Sequence, residues 1–143
     1  MKIINRRVKF DYKILETFEV GVVLSGSEVK AIKARRVSIK EAYARVINEE
    51  VFLINANINP FEKKENYEAT RTRKLLLSRQ EIKRIISEIK GKKLTLVPTK
   101  LYTKGRLIKL EIALAKSKKR YEKRKSLKEA DIKRDLEIEL KNI

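Results

Sequence analysis

Between Leu107 and Ala115, Ile108, Leu110, Ile112 and Leu114 alternate with Lys109, Glu111 and Ala113. Successive side chains of a strand point to opposite faces, so this alternation commits the segment to an extended strand with one face on an apolar core. A helix would scatter the same four branched residues around its circumference. Leu94 to Tyr102 is also β-like, and Lys104-Gly105 between the two runs predicts a hairpin.

Other segments supply partners for that hairpin. Tyr12 to Leu24, rich in Ile, Phe, Val and Leu, reads as a long first strand with a bulge or bend at Gly21. Ala42 to Ile47 and Val51 to Asn55 flank Asn48-Glu49-Glu50 and read as a second hairpin. Ser25-Gly26-Ser27-Glu28 and Ser78-Arg79-Gln80-Glu81 both have capping-box spacing, in which the serine caps the helix and the glutamate reaches back to the serine amide. The first predicts a short helix through Val29 and Ile32. The second opens a longer one, in which Ile82, Ile85, Ile86 and Ile89 form a core-facing stripe before Gly91. Asn59-Pro60 closes the second hairpin unit. From Phe61 to Lys74 the chain is polar and aperiodic, and reads as an exposed basic loop.

Short strands interrupted by capped helices predict a mainly β protein with flanking α-helices, an antiparallel barrel of the oligonucleotide-binding (OB) kind. A sandwich of sheet and helices satisfies the same pattern. Beyond Ala115 the aromatic and β-branched content falls, so the expected division is a body over residues 1–115 and a basic tail over 116–143. Ser126-Leu127-Lys128-Glu129 repeats the capping spacing, and Ile132, Leu136 and Leu140 follow at four-residue steps. That stripe is thin and helix nucleation is costly, so the tail is expected to be disordered when free and to become helical on binding.

Charge narrows the function. The formal net charge is +18, from 37 Lys and Arg against 19 Asp and Glu. Such an excess opposes compaction unless a polyanion neutralises it, which makes a nucleic acid the natural partner. A membrane surface would require a basic amphipathic helix with a broad apolar face, or a lipidation motif, and neither stands out. Met1 to Arg7 lacks an export-type apolar run, and a cytoplasmic location is expected. Cysteine and histidine are both absent, which removes disulfides, thiolate nucleophiles, imidazole triads and most zinc sites. No catalytic residue, metal or cofactor is expected. Glu16 and Glu19, three apart, would point to opposite faces of a regular strand and so make a poor acid/base pair, and Glu28 is better explained as a helix cap.

The candidate RNA contacts are Asn5, Arg6 and Arg7 before the first strand, Arg71, Arg73 and Lys74 in the basic loop, and the run from Lys116 to Lys125. Within that run Lys116, Lys118, Lys119, Lys123 and Arg124 can neutralise phosphate, and Tyr121 can stack on a base. Glu19 could accept hydrogen bonds from a base edge or orient a neighbouring cation.

Four stretches carry a resemblance: Glu16 to Lys30, Thr70 to Leu77, Leu96-Val97-Pro98, and Ala113 to Lys119. In order and spacing the chain resembles the small protein B family, the SsrA-binding proteins of bacterial trans-translation, from Asn5 to about Arg134. The resemblance implies an OB barrel whose body binds the tRNA-like part of transfer-messenger RNA. It implies entry into the decoding centre of a stalled ribosome, with elongation factor Tu engaged only through the charged RNA, and a tail that becomes helical in the empty messenger channel. A monomer is expected. By motif it picks out Asn5, Glu19 and Leu76 as RNA-contacting positions of the body, and Glu122-Lys123-Arg124 as the counterpart of an Asp-Lys-Arg triplet in the tail. Departures from the family pattern are Phe10 for His, Arg35-Arg36 for Gly-Lys, Glu68-Ala69 for Asp-Pro, and Ser117 for Gly. Two other readings stay open: a ribosomal protein or assembly factor using the same barrel and arm, and an RNA-processing enzyme built from carboxylates, lysines and tyrosines.

Overall fold

The structure is a computed structural model that describes residues 1–118 and Arg134. Its elements run β1 (Lys2–Ile4), α1 (Arg7–Asp11), β2 (Tyr12–Val22), α2 (Gly26–Lys33), β3 (Val37–Ser38), β4 (Tyr43–Ile47), β5 (Glu50–Ile54), β6 (Asn57–Ile58), β7 (Arg73–Leu76), α3 (Arg79–Gly91), β8 (Thr95–Lys104) and β9 (Leu107–Ser117). Six strands close on themselves in the order β8, β4, β5, β7, β2, β9 and back to β8, all antiparallel. Closure removes the open edges that would template aggregation. The expected OB-like barrel with flanking helices is what forms.

The alternating run behaves as its period requires. Ile108, Leu110, Ile112 and Leu114 are all buried in the main core beside Val20 of β2, Val51 and Leu53 of β5 and Leu96 of β8. α2 contributes Ala31 and Ile32 to that core, and α3 contributes Ile85, with Ile82 and Ile89 packed at its margin. Each fully buried branched side chain is worth about 1.5–3 kcal/mol over its exposed state. Both capping boxes are complete: Ser25 Oγ and Ser78 Oγ accept from the amides of Glu28 and Glu81, whose carboxylates accept from the serine amides. The β4–β5 hairpin turns on Asn48 and Glu49, both with positive φ (51° and 62°), the combination that matches the twist of a two-residue connection.

Three features differ from the sequence reading. Ala113 and Ala115, on the outward face of β9, are buried by Val8 of α1 together with Val97 and Tyr12. α1 is five residues long and β1 three, too short for any period to declare them. The irregularity of β2 falls between Ile14 and Glu16, not at Gly21. β9 continues through Ser117, with Lys116 opposite Lys13 and Ser117 opposite Tyr12, so ordered pairing runs two residues past the composition change at Ala115. No described helix is long and apolar enough to cross a membrane.

Candidate nucleic-acid interface

On the outer face of β2, Glu19 and Gly21 are two residues apart and therefore point the same way. Gly21 lies opposite Leu76 of β7 on one side and Lys109 of β9 on the other, and Lys109 in turn lies opposite Tyr102 of β8. Glu19 lies opposite Glu111, which faces Lys100. The barrel thus sets out a row of Leu76, Gly21, Lys109 and Tyr102 beside a row of Glu19, Glu111 and Lys100. Leu76 is 53% exposed and Leu107, at the β8–β9 turn, 61%. Both line a groove of about 400 Å³, together with Gly21, Val22, Val29, Arg106 and Lys109. Leu76 had no chemical claim to a surface role beyond the family resemblance. The strand parity of β7 supplies one, burying Arg73 and Leu75 and turning Lys74 and Leu76 outward.

Glu19 is exposed but held. Tyr102 donates its hydroxyl to one carboxylate oxygen and Lys104 Nζ donates to the other at 3.1 Å. The Tyr102 hydrogen bond, then that of Lys104, lower the Glu19 pKa below the ordinary carboxylate value. Desolvation, followed by the Glu19 hydrogen bond, pushes Tyr102 up to about 12. At neutral pH the pair is a fixed carboxylate beside a fixed phenol, an acceptor placed among cations on a basic barrel. Glu16 faces elsewhere, bound to Arg84 of α3 by bonds of 2.7 and 2.9 Å, so the two glutamates do not converge.

The segment leading into β7 is largely exposed, as its composition predicts, but Arg73 and Lys74 belong to the strand and Arg73 turns inward. Arg73 is fully buried: its Nε and Nη2 donate to Glu28 Oε2 at 2.8 and 2.6 Å, and Nη1 donates to the Ala56 carbonyl at 2.8 Å. Arg71, about one-third exposed at its side chain, also pairs with Glu28, and the Tyr67 hydroxyl donates to the same carboxylate at 3.2 Å. Burial alone would raise the Glu28 pKa, but hydrogen bonds from Arg71, the Ser25 amide and Arg73 outweigh it and hold the group at about 2. Glu28 is therefore both helix cap and anchor. Arg73, with its donors spent inside the fold, is a positioning residue rather than a phosphate contact; an aperiodic basic stretch gives no hint of which arginine turns inward. Of that trio Lys74 stands out furthest to solvent, 3.6 Å from Glu50.

Asn5 is likewise internal. It is 3% exposed, and its amide donates to the carbonyls of Ile39 and Pro98 at 3.0 and 3.1 Å, tying β1 to the segment before β4 and to the kink of β8. Arg6 is exposed and occupies the N-cap position of α1 with no side-chain capping bond, and Arg7 pairs with Glu41 at 3.0 Å and Asp11 at 3.8 Å. Lys116 is exposed, and Lys118 Nζ donates to the Lys9 carbonyl at 2.7 Å. The structure therefore brings Glu19 and Leu76 onto one face, buries Asn5 and Arg73, and leaves Arg6, Arg7 and Lys74 on the surface. Lys119, Tyr121, Glu122, Lys123 and Arg124, and the tail-helix pattern after them, lie outside the described residues.

A family model described as SmpB protein matches residues 2–142. The chain belongs to the SmpB family. Relatives named SsrA-binding protein include those of Chloroflexus aggregans, 48% identical over 96% of this chain and 89% of the relative, and of Thermoanaerobacter pseudethanolicus, 48% identical with the same coverage. A solved structure described as "tmRNA-SmpB: a journey to the center of the bacterial ribosome" contains a similar chain. It is 38% identical, with a TM-score of 0.68, over 88% of this chain and 94% of that one. The SmpB match spans the barrel and the basic segment beyond it, so the family covers both parts into which composition divides the sequence.

Proposed function

We propose that this protein binds the tRNA-like domain of transfer-messenger RNA through the outer face of β2, β7 and β9, and accompanies that RNA into stalled ribosomes in trans-translation. The observation that carries the reading is the placement of Glu19 and Leu76 on one open face around Gly21, in a chain of the SmpB family. The face combines the parts that folded single-chain RNA needs: cations for phosphate, an apolar shelf for an unstacked base, and an oriented acceptor for a base edge. Arg106 and Lys109 supply the first, Leu76 and Leu107 the second, and Glu19 the third. The fold binds and positions RNA and contributes no chemical step.

The basic segment from Lys116 onward takes the ribosomal role, entering the vacant messenger channel with Lys116, Lys118, Lys119, Tyr121, Glu122, Lys123 and Arg124, and elongation factor Tu is engaged only through the RNA. β9 ends at Ser117, and Lys118 donates its amide to the Asp11 carbonyl at 3.0 Å, which sets Lys118 beside the end of α1. Glu19→Lys is the direct test. It replaces the acceptor with a cation beside Lys104, and filter binding to the tRNA-like domain is expected to weaken about ten-fold or more. Unchanged affinity would overturn the assignment of this face.

A further inference from the structure

Beyond α2 lies a second set of groups that the Glu19–Leu76 face does not use. Phe61 is 70% exposed, more than any other large apolar side chain among the described residues. Its ring is nevertheless held in a defined setting. The Arg36 guanidinium carbon lies 4.3 Å from the ring centroid. Arg36 Nε donates to the Asn59 carbonyl at 2.8 Å, while the Asn59 amide donates to the Arg36 carbonyl at 2.9 Å. Asn59 also donates to Asn57 Oδ1 at 2.7 Å, and Pro60, between Asn59 and Phe61, is buried. Ring and guanidinium thus stand on the short β3–β6 ribbon in a prearranged stack.

Two grooves meet at this stack. One, of about 440 Å³, is lined by Lys30, Phe61 and the acidic Glu62 with the first residues of α2; the other, of about 400 Å³, is lined by Arg36 and Lys63. A large exposed aromatic with a cation on it and lysines to either side is the arrangement that unstacked bases and their phosphates occupy. α2 joins this surface to the Leu76 groove: Val29 lines that groove, while Gly26, Ser27 and Lys30 line the groove at Phe61.

We propose that Phe61 and Arg36 form a second contact for the same RNA, stacking one unpaired base of the tRNA-like domain while Lys30 and Lys63 hold its flanking phosphates. The inference rests on the proposed RNA-binding reading and extends it across α2. Phe61 contributes nothing to the core, so its replacement leaves the barrel intact and isolates the contact.

The test is equilibrium binding of the full chain to the isolated tRNA-like domain, comparing the parent with Phe61→Ala, Phe61→Trp and Glu19→Lys. Phe61→Ala is expected to weaken binding about ten-fold with an unchanged salt slope, and Phe61→Trp to restore it, because the loss is of a stacking surface rather than of charge. Lys30→Gln and Lys63→Gln should each lower the salt slope by about one. If Glu19→Lys weakens binding and Phe61→Ala does not, the second contact is refuted while the first face stands. Weakening by Phe61→Ala alone supports the second contact and overturns Glu19. If neither changes affinity, both fall, and an effect of Phe61→Ala confined to ribosome association also refutes the shared-RNA proposal.

Discussion

Gly21 of β2 and Leu76 of β7 are cross-strand partners so close that a Cβ built on Gly21 would lie 3.3 Å from both Cβ and Cδ1 of Leu76. The glycine is therefore there for approach: it lets an exposed leucine lie down over the strand instead of standing off it. Gly21→Val should displace Leu76 and weaken binding to the tRNA-like domain several-fold. The far-ultraviolet spectrum should stay unchanged, because Gly21 sits on the outer face.

Arg73 and Glu28 predict the opposite separation of stability from contact. Removing one partner of a buried ion pair leaves an uncompensated charge, which costs about 3–5 kcal/mol. Arg73→Met should lose stability of that order in urea unfolding, and its loss of RNA binding should follow the unfolded fraction. Arg71→Gln, at a half-buried position, should cost less than Arg73→Met in the same assay.

The same cluster sets an acid limit. The folded pKa of Glu28 is about 2 against an ordinary 4.5, so its stabilising effect is complete above the unfolded value and disappears as pH falls from 4.5 toward 2. The shift corresponds to about 3 kcal/mol at most. Stability measured by denaturant between pH 6 and about pH 2 should fall more steeply for the parent chain than for Glu28→Gln, which starts lower.

Arg35 lies at the end of α2 with φ +62°, a left-handed position that usually falls to glycine. The Arg35 amide donates to the Ile32 carbonyl at 2.9 Å and the Arg36 amide to the Ala31 carbonyl at 2.8 Å, the closing pair of bonds that stops a helix. Arg35→Gly should relieve the strain for a net gain of about 0.5–1 kcal/mol after the entropy of the unfolded glycine is counted. A calorimetric melting temperature higher by a few degrees would show it.

Separable roles for barrel and tail predict that truncation after Lys118, which keeps every pair of β9, preserves affinity for the tRNA-like domain and abolishes peptide tagging on stalled ribosomes. Tagging by the truncated chain would contradict the assignment of the tail. Truncation after Ala115 is a poorer test, since it removes two residues paired with β2.

Local rules carried the sequence reading wherever one residue pattern has one structural outcome. The alternation at Ile108 to Leu114 and the reciprocal serine–glutamate caps survive almost any tertiary setting, so β9, α2 and α3 were legible. α1 and β1 were not, because so few residues contain no period, and α1 declares itself only by burying Ala113 and Ala115. The site was legible unevenly for a related reason. Charge pointed to a polyanion as partner, but Arg71, Arg73 and Lys74 look alike in sequence, and only strand parity and the Glu28 carboxylate separate the buried anchor from the exposed lysine. Asn5 looks like a free donor until both donors of its amide are found on carbonyls of other elements.

The most direct test of the central claim is equilibrium binding of the full chain to the tRNA-like domain of transfer-messenger RNA beside an ordinary tRNA, across a salt series. Affinity that depends only on phosphate charge falls with salt alike for both RNAs, whereas recognition by shape and base contact survives as a ratio. The account predicts a preference for the tRNA-like domain that persists as salt is raised. Equal affinity for the two RNAs, collapsing together with salt, would contradict it.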